Sequence, residues 1–407
     1  MLTRRSFLKS SSLIALGAGV PGFLSRTAAQ APAANQAGAR DTILVVIQLT
    51  GGNDGLNTVI PFNDPEYARL RPTLRQPANQ VVRVNNDIGL HPSMTALGDL
   101  LQDRALCVVQ GVGYPNPSQS HFDSMDYWQS ARIERKPTEG WIGRALRHLR
   151  DSEGSYHLAN VNETAPVALT GGPVRVPTIT TLEDFQLRLE ASSAANRRDQ
   201  QNLLDAVSTP VGQDDLLNFV QRTATNTYAT TRRLRDVGRS YQPRVPYPQT
   251  SLGNQLKLAA QFIDAGMGAR LFYVTLDGFD THSGQAPLHA NLWREVSDAM
   301  AAFFKDMAAR GQRDRVLMMT FSEFGRRARE NGSRGTDHGS AAPMILVGGK
   351  VKSGLVGAHP SLTQLEDGNL RHHTDFRQVY AAILETWLGV PSRQILGQAY
   401  QPVEIFQ

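Results

Sequence analysis

The sequence predicts an α/β fold, a doubly wound and mostly parallel sheet flanked by helices. Two observations predict it: strand-length apolar runs recur along the chain, and stretches of helical periodicity lie between them. The first run, Ile43–Leu49, is apolar at nearly every position and ends at Gly51-Gly52, as expected of a strand buried on both faces. Similar runs follow at Leu106–Val109, Val167–Leu169, Leu271–Leu276, Val316–Phe321 and Ile345–Val347. Apolar residues at helical spacing fill Met94–Leu101, Asp123–Ala131, Leu292–Ala309 and Phe376–Leu388. The α/β domain is expected over residues 41–407. One stretch departs from the alternation: from Leu182 the chain is polar and helix-favouring, and the Pro-rich connector Tyr241–Pro248 closes it. It reads as a helical insertion over about residues 182–250, placed to cover a site.

The N-terminus decides the expected compartment. Thr3-Arg4-Arg5-Ser6-Phe7-Leu8-Lys9 is a twin-arginine pattern, followed by a weakly apolar stretch and the small-x-small sequence Ala29-Gln30-Ala31. Residues 1–29 are therefore expected to be a signal peptide that engages the twin-arginine export machinery, with delivery to the periplasm or beyond. Residues 30–40, rich in Ala, Gln and Pro, form a linker. The apolar stretch is short and broken by Gly17, Gly19 and Pro21, so no transmembrane anchor is expected. The formal charge of +5 includes Arg4, Arg5, Lys9 and Arg26, and their removal with the signal leaves +1. That balance excludes a broad basic surface for nucleic acid. Cys107, the single cysteine, lies in an apolar run and reads as a buried strand residue that can form no intramolecular disulfide.

In open α/β sheets ligands bind beyond the carboxyl ends of the strands. Three carboxylates fall there: Asp54 after the first strand, Asp277 directly after Leu271–Leu276, and Glu323 after Val316–Phe321, with Arg326 close behind. Histidines gather beside acids in the last third of the chain. Asp277-Gly278-Phe279-Asp280-Thr281-His282, Thr336-Asp337-His338-Gly339 and His372-His373-Thr374-Asp375 hold four of the 10 histidines. Neutral imidazoles with ionised carboxylates are the usual ligands of zinc and related ions, so these residues form a candidate site for one or two divalent metals, zinc or manganese. Thr374 is a plausible cap for the last helix. Ser118 and Ser120 precede the helix at Asp123–Ala131, and Ser120 suits an N-cap.

Gly51-Gly52-Asn53-Asp54-Gly55, Ser120-His121-Phe122-Asp123, Leu276–His282, Ser322–Arg326 and Thr336–Gly339 together resemble the exported bacterial domain of unknown function 1501 family, within the alkaline phosphatase/sulfatase-like superfamily. The superfamily pattern implies two metal sites. One would use Asp54, Asp337, His338 and the nucleophile hydroxyl; the other would use Asp277 or Asp280, His282 and His373 or His372. It implies Ser120 as the catalytic nucleophile, with Ser118 in reserve, and leaves His121 as a base, a substrate contact or a further ligand. Glu323 and Arg326 are accessory. The expected function is hydrolysis of a phosphate or related sulfate or phosphonate ester, on a small molecule or a glycan, by Ser120 and two metals. A lone-metal hydrolase, and a non-catalytic exported binding protein that keeps the fold, are the alternatives. No sulfatase Cys-x-Pro-Ser-Arg signature is present.

Overall fold

The computed structural model describes residues 42–134, 136–149, 154–158 (backbone only), 164–173, 176, 178–180, 241–266 and 268–407. The expected signal peptide and linker, and most of the expected helical insertion, lie outside the described residues. A nine-stranded sheet forms the centre. Its strands are β1 (Ile43–Leu49), β2 (Leu106–Gly113), β3 (Gly154–Leu158), β4 (Thr178–Ile179), β5 (Ala269–Leu276), β6 (Val316–Phe321), β7 (Ala342–Gly348), β8 (Gly354–Val356) and β9 (Thr374–Asp375). The order across the sheet is β8-β2-β7-β6-β1-β5-β3-β4, with β9 paired to β2. β1 pairs in parallel with β5 on one side and β6 on the other. β7 is the exception to the parallel expectation, since it runs antiparallel to both β2 and β6.

Every residue of β1 is buried, and alternate residues serve opposite layers. Ile43, Val45, Ile47 and Leu49 join a core with Leu252 and Leu256 of α3 (Ser251–Asp264) and Trp293, Met300 and Phe303 of α4 (Gln285–Ala309), which also takes in Leu97 and Leu100 of α1 (Thr95–Gln102). Leu44 and Val46 face a second core with Trp128 of α2 (His121–Ser130) and Phe376 and Tyr380 of α5 (Phe376–Ala382). Cys107 is buried in β2, and burial pushes its thiol up to about 12. Among the described residues, no helix is long and apolar enough to cross a membrane.

Two expectations need correction. Val167–Leu169 is a single 3₁₀ turn rather than a strand; three apolar residues after Pro166 are too few to distinguish the two from periodicity. The helix expected over Phe376–Leu388 changes to π-helix at Ile383–Leu388, and its N-cap is Asp375 in a capping box with Gln378, not Thr374. The connector expected at Tyr241–Pro248 is tied to α4: buried Asp306 accepts hydrogen bonds from Tyr241 Oη, from Tyr247 Oη at 3.0 Å and from Arg244 N at 2.8 Å.

Two histidines are sealed beside β1's carboxyl end. His289 Nε2 lies 3.2 Å from Asn53 Oδ1, and His91 packs edge-on against it. Burial lowers their pKa values from 6.5 to about 3 for His289 and about 4 for His91. The unfolded chain therefore binds protons that the native one refuses. Stability is whole above pH 6.5 and falls as pH drops from there through both folded values, by up to about 1.4 kcal/mol per pH unit for each histidine. Urea midpoints measured from pH 7 to pH 4 should show this loss, and His289→Gln should flatten the slope; an unchanged slope would count against it.

Candidate metal centre

The carboxyl ends of β6, β1 and β5 lie side by side because these strands are parallel neighbours. The loops that leave them are pressed together at glycines. Gly51 and Gly52 have φ of +120° and +84°. A Cβ on Gly51 would stand 2.3 Å from Asp280 N, and one on Gly52 2.3 Å from the Phe324 ring. Only glycine meets both demands. Arg326, buried, locks the same loops. Its Nε donates to Gly52 O at 2.6 Å, its Nη1 to Thr336 O at 2.7 Å, and its Nη2 to Phe279 O at 3.0 Å, to Asp280 Oδ1 at 2.6 Å and to Gly51 O. Glu323, also buried, accepts from Gly51 N at 2.8 Å.

Three imidazoles converge on Asp280. His121, the first residue of α2, has Nδ1 2.8 Å from Glu323 Oε1 and Nε2 3.5 Å from Asp280 Oδ2. His338 has Nδ1 2.9 Å from Gln119 O and Nε2 3.2 Å from Asp280 Oδ1. His282 has Nδ1 3.3 Å from Asp337 Oδ1 and Nε2 3.1 Å from Asp280 Oδ1. The His282 and His338 Nε2 atoms are 2.9 Å apart.

The partners limit the protonation states. A carbonyl or carboxylate oxygen only accepts, so a ring that faces one through each nitrogen either carries both protons or, when neutral with its proton on Nδ1, leaves an Nε2 lone pair beside Asp280. In the neutral form, the lone pairs gathered in this way would be joined to Asp280 by a cation among them. His121, Asp280 and His338 alone place one donor atom each within 4.8 Å of one another. The three separations to Asp280 and the one between His282 and His338, 2.9–3.5 Å, are close to the edge of about 3.3 Å that ligands at about 2.0–2.1 Å from a shared ion would have. Imidazoles oriented through Nδ1 by carboxylates and carbonyls are the usual outer support of such ions. The residues present therefore fit one divalent metal.

Local electrostatics agree with ionised acids around the group. The hydrogen bond to Glu323 raises the His121 pKa, whereas burial lowers that of His338. Burial works against the Asp280 carboxylate, but the hydrogen bond and charge of Arg326 outweigh it and lower its pKa. The Asn331 amide, 3.0 Å from Asp337 Oδ1, lowers that of Asp337.

The structure thus gathers Asp280, His282, Asp337, His338, His121, Glu323 and Arg326, and places the remaining expected residues elsewhere. Asp54 is fully buried and turned to Arg71, with Nη1–Oδ2 2.5 Å and Nη2–Oδ1 2.8 Å, and it accepts from Gln285 Nε2 at 2.5 Å. Burial opposes its charge, yet Arg71 prevails and holds its pKa at about 2. A guanidinium is thus its counter-ion where the resemblance implies a metal. Asp277 is exposed at the end of β5, and Asp280 is the acid that meets His282. His373 is turned away, with Nε2 2.7 Å from Ala358 O and Nδ1 3.0 Å from Thr374 Oγ1; half-buried His372 packs against Gly113. Ser120 is exposed and caps α2, its Oγ accepting from Asp123 N at 3.4 Å, and Ser118 Oγ accepts from Ser120 N at 3.2 Å. Sequence reasoning missed Arg71, Gln285 and Asn331, because each acts through a tertiary contact that leaves no local pattern.

A family of proteins of unknown function, DUF1501, has a sequence profile that matches residues 41–396. The chain belongs to this family. No curated protein matches its sequence. Among solved structures it is similar to the PsFucS1 sulfatase from Pseudoalteromonas sp., at 12% identity and a TM-score of 0.38 over 90% of this chain and 74% of that one. It is also similar to the lipoteichoic acid synthase LtaP from Listeria monocytogenes, at 8% identity and a TM-score of 0.39 over 95% and 82%. A protein in the alkaline phosphatase superfamily from Vibrio parahaemolyticus matches at 8% identity and 0.40 over 93% and 76%.

Arg326 should be the least replaceable residue of the DUF1501 site. Arg326→Met leaves the carbonyls of Gly51, Gly52 and Thr336 without their donor and should cost about 3 kcal/mol or more in urea denaturation. Arg326→Lys should recover little, because an ammonium lacks the planar fork. A loss below about 1 kcal/mol in either variant would contradict the role given to it.

Proposed function

We propose that this chain is an exported hydrolase of phosphate or sulfate esters that works with one divalent metal, zinc or manganese, held by Asp280, His121, His282 and His338. The convergence of three Nε2 atoms on one carboxylate carries this reading. Phosphate or sulfate is the substrate class because of the motif resemblance, and export rests on the twin-arginine pattern.

When bound, the ion supplies Lewis acidity toward an ester oxygen and makes water a better nucleophile near neutral pH. The protein residues hold and orient. Glu323 keeps the His121 proton on Nδ1, Asp337 does the same for His282, and the Gln119 carbonyl for His338. Phe324 packs beside the His121 and His338 rings, with centroids 4.9 and 4.6 Å away, and shields one side of the group. Asp54 is neutralised by Arg71, so the reading is of one ion rather than two. Ser120 serves as a helix cap in it, not as the nucleophile.

One observation favours the non-catalytic alternative. Arg326 already shares Asp280 Oδ1, and its positive charge opposes a second cation at that oxygen. In that reading the group is a hydrogen-bonded imidazole cluster that a proton completes.

Metal analysis of protein purified under zinc- or manganese-replete conditions should find about one ion per chain. Asp280→Asn should weaken uptake roughly 10- to 100-fold or more and abolish turnover in an aryl phosphate and aryl sulfate screen. Ser120→Ala should retain most turnover; its loss would return the nucleophile to Ser120. Uptake should weaken as pH falls, because the raised His121 pKa lets protons compete for that ring sooner. Stoichiometric uptake that Asp280→Asn leaves intact would rule this centre out.

A further inference from the structure

We infer that Gln285, oriented by the Asp54–Arg71 ion pair, is a positioning residue that sets the spacing between the two loops carrying the metal donors. The inference rests on the metal reading of the site and concerns what holds its donors in place. Gln285 opens α4 and is fully buried. Its Nε2 donates to Asp54 Oδ2. Its Oε1 accepts from Thr281 Oγ1 at 3.0 Å and from Thr336 Oγ1 at 2.6 Å. Thr281 lies between Asp280 and His282, and Thr336 precedes Asp337-His338. One side chain therefore joins both donor loops.

The orientation of this amide is forced. Asp54, ionised against Arg71, can only accept, so the amide nitrogen must face it and the amide oxygen must face the threonines. Both hydroxyls then have no choice but to donate. Arg71 anchors the other end of the assembly, because its Nε donates to Ala328 O at 2.7 Å and its Nη2 to Arg327 O at 3.0 Å, beside Arg326. The backbone repeats the linkage: Thr336 N donates to Thr281 O at 3.1 Å, and Gln285 N to Arg334 O at 2.9 Å. The acid after the first strand thus reaches the centre through an amide, at one remove from the proposed ion.

Cobalt uptake tests this, read by competition with a chromophoric chelator and by the visible bands of the bound ion. Gln285→Leu removes both ends of the bridge. Thr336→Val keeps the shape and removes one donor, and Thr336→Ser restores it. Gln285→Leu and Thr336→Val should bind cobalt roughly 10- to 100-fold more weakly with altered bands, and Thr336→Ser should regain the wild-type values. Wild type that binds tightly, with Thr336→Val within about twofold of it and spectrally identical, overturns this inference alone. Wild type that takes up no cobalt overturns the metal reading and this inference with it.

Discussion

The buried guanidinium of Arg326 is the constraint on which the rest of the site depends. It bonds the carbonyls of Gly51, Gly52, Phe279 and Thr336 and the carboxylate of Asp280, so it joins the loops after β1 and β5 to the loop before His338. Isolated burial of such a charge would be costly, and five acceptors offset it. The glycine turn at Gly51-Gly52 brings those carbonyls within reach, and the parallel placement of β6, β1 and β5 makes the three loops neighbours at all. Sheet order, turn chemistry and one side chain together determine where Asp280 stands.

Around Asp280 the protein builds two shells with opposite polarity. The inner one presents lone pairs from His121, His282, His338 and Asp280 itself. The outer one presents acceptors at Glu323, Asp337 and Gln119 O, which hold the Nδ1 protons outward. With neutral rings, this design places each proton on Nδ1 and leaves Nε2 free for an ion. Behind it, Asp54, Arg71 and Gln285 form a fully buried polar network whose acceptors and donors match. Such a network is rigid when complete, which suits a support for metal ligands.

Much of the architecture was legible because it is written in local pattern. Ile43–Leu49 and Val316–Phe321 are strands over the bounds their apolar runs suggest, and Asp54, Asp277 and Glu323 do follow neighbouring parallel strands. The antiparallel course of β7 was not legible, since a buried strand reads alike in either direction. Within the site, the Asp-x-His pair at Asp280 and His282 and the adjacent Asp337-His338 could be read from their composition. The fate of Asp54 could not, because its partner Arg71 is 17 residues away in a segment with no motif. His373 illustrates the same limit: its ring is claimed by Ala358 O, an acceptor that no residue identity announces. His121 was legible as a site residue, but its alternatives are separated only by Glu323 and Asp280, which fix both ring nitrogens.

The central claim is that three Nε2 atoms and Asp280 surround a single cation. An anomalous difference map from crystals grown with zinc tests it most directly. The account predicts one peak per chain, about 2.0–2.2 Å from Asp280 and from the Nε2 atoms of His121, His282 and His338. A second peak on Asp54, or no peak beside Asp280, would contradict it.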